Sequence, residues 1–196
     1  MRYNILGVVL VAGCIFSTAR VWGQARPESN GPKYGSMEIA ANFHAARANT
    51  VPAFNFWMKG GGVQVERVLT HRLSLGADLS RLHTGKMPGT NVGLDLTAAV
   101  IGPRYSISSL QGRLKVYGQA MGGVARGSNS LFPNPNGATS SAKGAALMIG
   151  GGVNYRVSSR VYLRAIEADW LRTSLSNGTT TVQNNLRLSS GVAVRF

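Results

Sequence analysis

A single cysteine, Cys14, is present in the 196-residue chain, so no disulfide can form within it. Acids are equally scarce, with seven Asp and Glu against 21 Lys and Arg and a net charge of +14. Charged residues make up 14% of the chain, well below the roughly 25% usual for soluble domains. The basic residues are scattered, without the clustered face that marks a nucleic-acid binder. Only three histidines occur, His44, His71 and His83, and no pair has metal-ligand spacing. A GxSxG nucleophile elbow is missing. The glycine runs at 60–62 and 150–152 are not followed by a helical pattern, which excludes a phosphate-cradling loop. No cofactor is expected.

What is present begins with the N-terminus. Arg2 precedes the apolar "ILGVVLVAGCIFSTA", followed by "RVWGQA" and the polar "RPESNGPK". A basic start, a short apolar core and small residues at its end predict a secretory signal peptide over 1–25. Cleavage after Gly23, with Val21 at −3, or after Ala25, with Gly23 at −3, fits the small-residue rule. "VAGC" also resembles a lipobox, which would make Cys14 a lipidated N-terminus. The apolar residues continuing past it in "IFSTA" favour ordinary cleavage. The apolar run is too short to span a bilayer as a helix, and no later stretch approaches the necessary ~20 residues. A short linker over 26–34 then leads into one domain over 35–196.

In that domain helical periodicity gives way to period-two alternation, the signature of strands with two unlike faces. Eight strands are predicted, at about 36–46, 56–68, 73–82, 93–105, 113–125, 145–157, 161–173 and 184–196. Each has at least the ~9–11 residues that a tilted membrane-spanning strand requires. Short connections, "LTHR", "SISSLQG" and "SSR", alternate with longer ones, "ARANTVPAF", "LHTGKMPGTN", "RGSNSLFPNPNGATSSAKG" and "LSNGTTTVQ". The longer ones are rich in residues that favour turns and irregular backbone. An even strand number with long and short connections sorted to opposite ends points to an all-β fold, an eight-stranded antiparallel up-and-down transmembrane barrel.

Two assignments of the faces are open. A soluble barrel, in the periplasm or secreted and with or without a lipid anchor, would turn its apolar face inward around a small ligand. An outer-membrane barrel turns it outward. Low charge, sorted connections and the placement of the acids favour the second. On that reading Ile39, Phe43, Val63, Leu75, Leu79, Leu94, Leu96, Ala98, Val116, Leu147 and Ile149 face lipid. Glu38, Glu66, Asp78, Asp95, Glu167 and Asp169 face a lumen, where Lys115, Arg156, Arg187 and Arg195 can pair with them. Opposite charges must share that lumen, because a basic side chain on the lipid face at midplane costs about 2–4 kcal/mol. Arg164 and Glu167 have opposite parity. Either a β-bulge near Ala165–Ile166 reconciles them, or Arg164 lies outward near the rim. Trp57, Tyr105, Tyr155 and Trp170 fall near strand ends, where aromatic girdles form.

Catalytic signals are weak. His44 and His83 could both approach the end with the long connections, which leaves a lipid A-modifying enzyme as a minor alternative. Glu167 and Asp169 read better as part of an ion-pair network than as a catalytic pair. The chain is not expected to be an enzyme.

Four segments carry a family likeness: "GPRYS" (102–106), "GGGVNYR" (150–156), "EADWLRT" (167–173) and "NNLRLSSGVAVRF" (184–196). Through them the chain resembles the small outer-membrane β-barrel proteins, the OmpA/OmpX-like group of porin-like barrels, over about 35–196. The likeness implies an exported protein of the bacterial outer membrane. It also implies that Val192, Val194 and Phe196 form the terminal signal read by the barrel-assembly machinery. No peptidoglycan-binding domain follows the barrel, so that function is not implied. With eight strands the interior is just wide enough to be filled by side chains. The expected role is therefore structural or surface-interacting, without an open pore. The expected partners are outer-membrane lipids, including lipopolysaccharide phosphates met by Arg47, Lys86, Arg126 and Lys143. No nucleic acid is expected, and the protein is expected to be a monomer.

Overall fold

The computed structural model describes residues 34–51, 54–88, 92–109, 112–134, 137–176 and 181–196. The expected signal segment, with Gly23, Ala25 and Cys14, lies outside the described residues, as does nearly all of the linker. Eight strands follow one another: β1 (Met37–Val51), β2 (Phe54–Val68), β3 (Leu73–Thr84), β4 (Leu94–Ser109), β5 (Leu114–Asn134), β6 (Gly137–Arg156), β7 (Val161–Thr173) and β8 (Gln183–Arg195). Each pairs antiparallel with the next, and β1 returns to β8, closing the barrel. Strand β3 shows how alternation becomes a wall. Ser74, Gly76, Asp78, Ser80 and Leu82 are buried, and the residues between them are exposed.

Strand β8 closes on β1 along most of its length, starting from the proximal end, where Phe196 lies. Glu38 stands opposite Arg195, and the ladder runs to Arg47 opposite Leu186. The Phe196 amide donates to the Met37 carbonyl at 2.8 Å, and the Met37 amide donates back to the Phe196 carbonyl at 3.2 Å. Two proximal reversals are held by hydroxyls. Thr70 Oγ1 accepts from the amides of Arg72 and Leu73, and Ser158 Oγ accepts from those of Arg160 and Val161. Such side chains replace the ladder partners that a turning backbone loses.

The distal end differs from expectation. Much of "ARANTVPAF" and "RGSNSLFPNPNGATSSAKG" is strand, because β1 runs to Val51 and β2 starts at Phe54, while β5 runs to Asn134 and β6 starts at Gly137. Ladder bonds join backbone groups, so a Ser- and Gly-rich segment continues a sheet once its partner is in register. Ser128 stands opposite Ser141, and Asn134 opposite Gly137. A register shift between Ser128 and Phe132 accompanies Asn129 at φ 58°, a left-handed conformation that Asn tolerates better than most residues.

Two strands needed their parity settled. In β7 the register slips between Arg164 and Glu167, Ala165 and Ile166 are both exposed, and both charged residues are buried. This is the bulge: one extra residue returns the second side chain to the face of the first. In β4, Leu94, Leu96 and Ala98 face inward with Val100 and Arg104, while Ala99, Ile101 and Tyr105 are exposed. This corrects the expectation that Leu94, Leu96 and Ala98 lie on the outer face. The segment "LDLTAAVIGPRY" carries apolar residues at both parities, so alternation alone could not orient it.

The outer wall is apolar over its middle, with Phe43, Val63, Leu79, Ile101, Val116 and Ile149 all exposed. Inside, charged, polar and apolar side chains are buried. Glycines open room where the largest of them meet: a Cβ on Gly152 would lie 2.7 Å from the Tyr117 hydroxyl, and one on Gly150 would lie 2.3 Å from Asp169 Oδ1.

Candidate functional site

The interior has two layers. The proximal layer is ionic. Arg104 donates to Glu66 at 2.8 Å, to Gln64 at 2.8 Å and to Gln119 at 3.1 Å, and its guanidinium stacks 4.2 Å from the Tyr117 ring centre. Lys115 donates to the other Glu66 oxygen at 2.8 Å. Glu167 is shared by Arg164 at 3.3 Å, Arg187 at 3.5 Å and Arg104 at 3.6 Å, and it also accepts from the Tyr117 hydroxyl. Arg187 donates to Asp78 and Asp169, each at 2.9 Å. At the proximal rim Arg195 holds Glu38 at 2.9 Å and donates to Tyr162 at 2.6 Å. Glu38, Glu66, Asp78, Glu167 and Asp169 thus meet Arg104, Lys115, Arg164, Arg187 and Arg195. Equal numbers of each sign remove the cost of an unpaired buried charge.

The distal layer is apolar. Phe56, Met58, Leu82, Leu94, Leu96, Met121, Phe132, Met148, Leu171 and Leu175 form one buried cluster across the barrel. The layers meet where Arg187 Nη2 lies 2.9 Å from Met148 Sδ. Methionine fills irregular space well, which suits a cluster assembled from many strands.

Of the residues expected in the lumen, Glu38, Glu66, Asp78, Lys115, Glu167, Asp169 and Arg187 are buried inside, with Arg195 partly buried at the rim. Arg156 is half-buried at the end of β6 and makes no ion pair among the described residues. Arg104, Arg164, Gln64, Gln119 and Tyr117 complete the network. The sequence pattern hides Arg104, because it shares its parity with the apolar Leu94, Leu96 and Ala98.

Asp95 is a correction. It stands opposite His83 on the outer face of the wall, outside the lumen. There Arg81 reaches it at 3.2 Å, His83 Nδ1 at 2.7 Å, and Asn129 donates a further hydrogen bond. Arg81 and His83 are themselves 69% and 62% exposed, while Asp95 lies beneath them at 4%. A shallow cleft of about 410 Å³ lies here, lined by Lys59, Gly60, Gly61, Arg81, His83 and Asp95.

The histidines are now separated. His44 is buried inside, with Nδ1 2.7 Å from Ser189 Oγ, whereas His83 is outside. The wall between them prevents a shared site. His71 is exposed in a proximal turn, its ring 5.1 Å from that of Tyr34. No group of three or more His, Cys, Asp or Glu among the described residues could hold a metal ion.

No family model matches the chain, and no curated protein matches it. Solved structures do. Neisserial surface protein A superposes with a TM-score of 0.64 at 20% identity, covering 83% of this chain and 99% of that one. The chain has the fold of a small outer-membrane β-barrel. Ail, the attachment invasion locus protein of Yersinia pestis, gives a TM-score of 0.56 at 14% identity, covering 84% of this chain and 100% of its own. OprG, an outer membrane protein from Pseudomonas aeruginosa, gives 0.53 at 10% identity, covering 86% and 99%. At these identities the likeness is one of architecture. In the outer-membrane barrel fold, Trp57 and Trp170 are exposed on the outer wall toward the distal end, and Tyr105 and Tyr155 toward the proximal end. Val192 and Phe196 are exposed on the same wall, and Val194 is partly exposed there. Arg47, Lys86, Arg126 and Lys143 are all exposed, with Arg126 directly opposite Lys143.

Proposed function

We propose that the protein is an integral barrel of a bacterial outer membrane, closed to solutes, whose role is structural or surface-interacting. The observation that carries this reading is the inversion of polarity: an apolar outer wall around an ionic interior. Lipid accepts the exposed leucines, valines and isoleucines that water would penalise. Termini and proximal turns then lie in the periplasm, and the distal hairpins at the cell surface. The filled interior supports a barrel without conductance. Ions crossing it would have to displace both the Arg187 network and the methionine-rich plug. The separation of His44 from His83 favours a role other than catalysis.

Three experiments test this. Outer membranes carrying the protein should retain it through carbonate extraction, and the folded form should run at a different gel mobility before and after boiling. Recovery of folded protein from the periplasm without detergent would support the soluble barrel instead. Reconstituted into planar bilayers, the protein should leave conductance at background, and stable channel openings would refute closure.

A further inference from the structure

The network inside is balanced, so the basic excess of the barrel must lie outside it. Of the seven acids in the sequence, five are paired in the interior, Glu28 lies outside the described residues, and only Asp95 stands on the outer wall. Asp95 is already engaged by Arg81, His83 and Asn129. Beyond Arg81, the cations near it make no ion pair among the described residues. In register across β3 to β6 run Arg81, Thr97, Arg126 and Lys143, with Lys59 one step away opposite His83. Arg126 and Lys143 are direct cross-strand neighbours of like charge, exposed, and neither is ion-paired among the described residues. Like charges placed directly opposite one another destabilise a sheet. An anion between them reverses the sign of that contribution.

Their height on the wall identifies the class of anion. Along β3 the outward residues are Leu73, Leu75, Ala77 and Leu79, then Arg81 and His83. At ~3.3 Å per residue and a tilt of ~40°, Arg81 stands about 20 Å above Leu73. That is roughly the height of the apolar band of a barrel wall, about 25 Å; the register line climbs across the tilted strands, so Arg126 and Lys143 stand higher still, and the cations fall within the distal headgroup layer. Immediately below them are the exposed Val63, Leu79, Ile101 and Val124. A ligand fitting both surfaces has acyl chains below and negative charge above. The ~4.8 Å spacing between strands sets Lys143 ~14 Å from Arg81 and ~19 Å from the strand of Lys59, room for more than one phosphate.

We propose that the outer wall over β2–β6 is a binding site for a phosphorylated glycolipid of the outer leaflet. Lys59 and Arg81 hold one phosphate at the cleft, and Arg126 and Lys143 hold a second. Asp95 fixes the Arg81 and His83 side chains against the wall and so shapes the cleft. This site rests on the membrane reading above, and extends the expected set of Arg47, Lys86, Arg126 and Lys143 by residues that register alone brings beside them.

The test uses the full mature chain in detergent micelles, titrated with bisphosphorylated lipid A, phosphatidylcholine or inorganic phosphate, with bound lipid counted by native mass spectrometry. The wild type should retain lipid A, more weakly as salt rises, and should not retain phosphatidylcholine. The triple variant Lys59→Gln/Arg126→Gln/Lys143→Gln should lose on the order of 100-fold in affinity, at about fivefold per cation near an anionic surface. Arg67→Gln, exposed at the proximal end of β2, should bind as the wild type does. Unchanged binding by the triple variant would overturn the site, as would an equal loss in Arg67→Gln. Displacement of lipid A by equimolar inorganic phosphate would assign the cations to a free anion and overturn the lipid. All variants should insert into phosphatidylcholine bilayers with heat-modifiable mobility. Lost binding by a wild type that still inserts therefore counts against this site alone, whereas failure to insert counts against the membrane reading.

Discussion

Arg187 and Asp78 are 109 residues apart in sequence and 2.9 Å apart inside the barrel, both fully buried. The contact joins β8 to β3 across the lumen, and the same guanidinium also holds Asp169 and Glu167. Removing it leaves three buried carboxylates short of a partner. Arg187→Met is expected to cost about 3–5 kcal/mol. Arg187→Lys should lose less, since it keeps the charge and forfeits only the planar fork. Urea unfolding in lipid vesicles, followed by tryptophan fluorescence, would measure both. A methionine variant as stable as the wild type would deny the network its structural role.

Asp95 offers the contrast. Its partners Arg81 and His83 are largely exposed, and exposed pairs contribute about 0–1 kcal/mol. Asp95→Ala should therefore shift the unfolding midpoint far less than Asp78→Ala in the same assay. Equal losses would mean that Asp95, though its partners are exposed, contributes as much as the lumen acids do.

The bulge in β7 can be tested by deletion. Removing Ala165 restores a regular strand and forces either Arg164 or Glu167 toward lipid. For arginine the expected cost is about 2–4 kcal/mol near the midplane, and folding yield in vesicles should fall. Ile166→Leu, which keeps the extra residue, should fold as the wild type does.

Phe196 separates stability from recognition. Its side chain is 70% exposed, while its backbone makes two hydrogen bonds to Met37. Phe196→Ala keeps both bonds and should refold in detergent with little loss. If the side chain is read by the assembly machinery, the same variant should accumulate unassembled in cells. Normal assembly in cells would remove the recognition role.

Parts of this architecture were readable along the chain because side chains alternate with a period of two, and that period is a property of a single strand. It located β3, β7 and β8 nearly to their ends. It also placed Glu38, Glu66, Asp78 and Arg187 on the polar parity. The sequence alone thus determined a wall of eight strands with unlike faces, and a chain that ends on one of them. Tertiary structure decided what depends on a neighbour. Strand β4 has apolar residues at both parities, and only pairing with β3 and β5 turned Leu96 and Arg104 inward and Asp95 outward. The distal hairpin of β5 and β6 reads as loop because its side chains are polar, yet ladder bonds form between backbones whatever those side chains are. The two-layered interior and the row of outer cations are likewise properties of register, which unites residues that no local pattern connects.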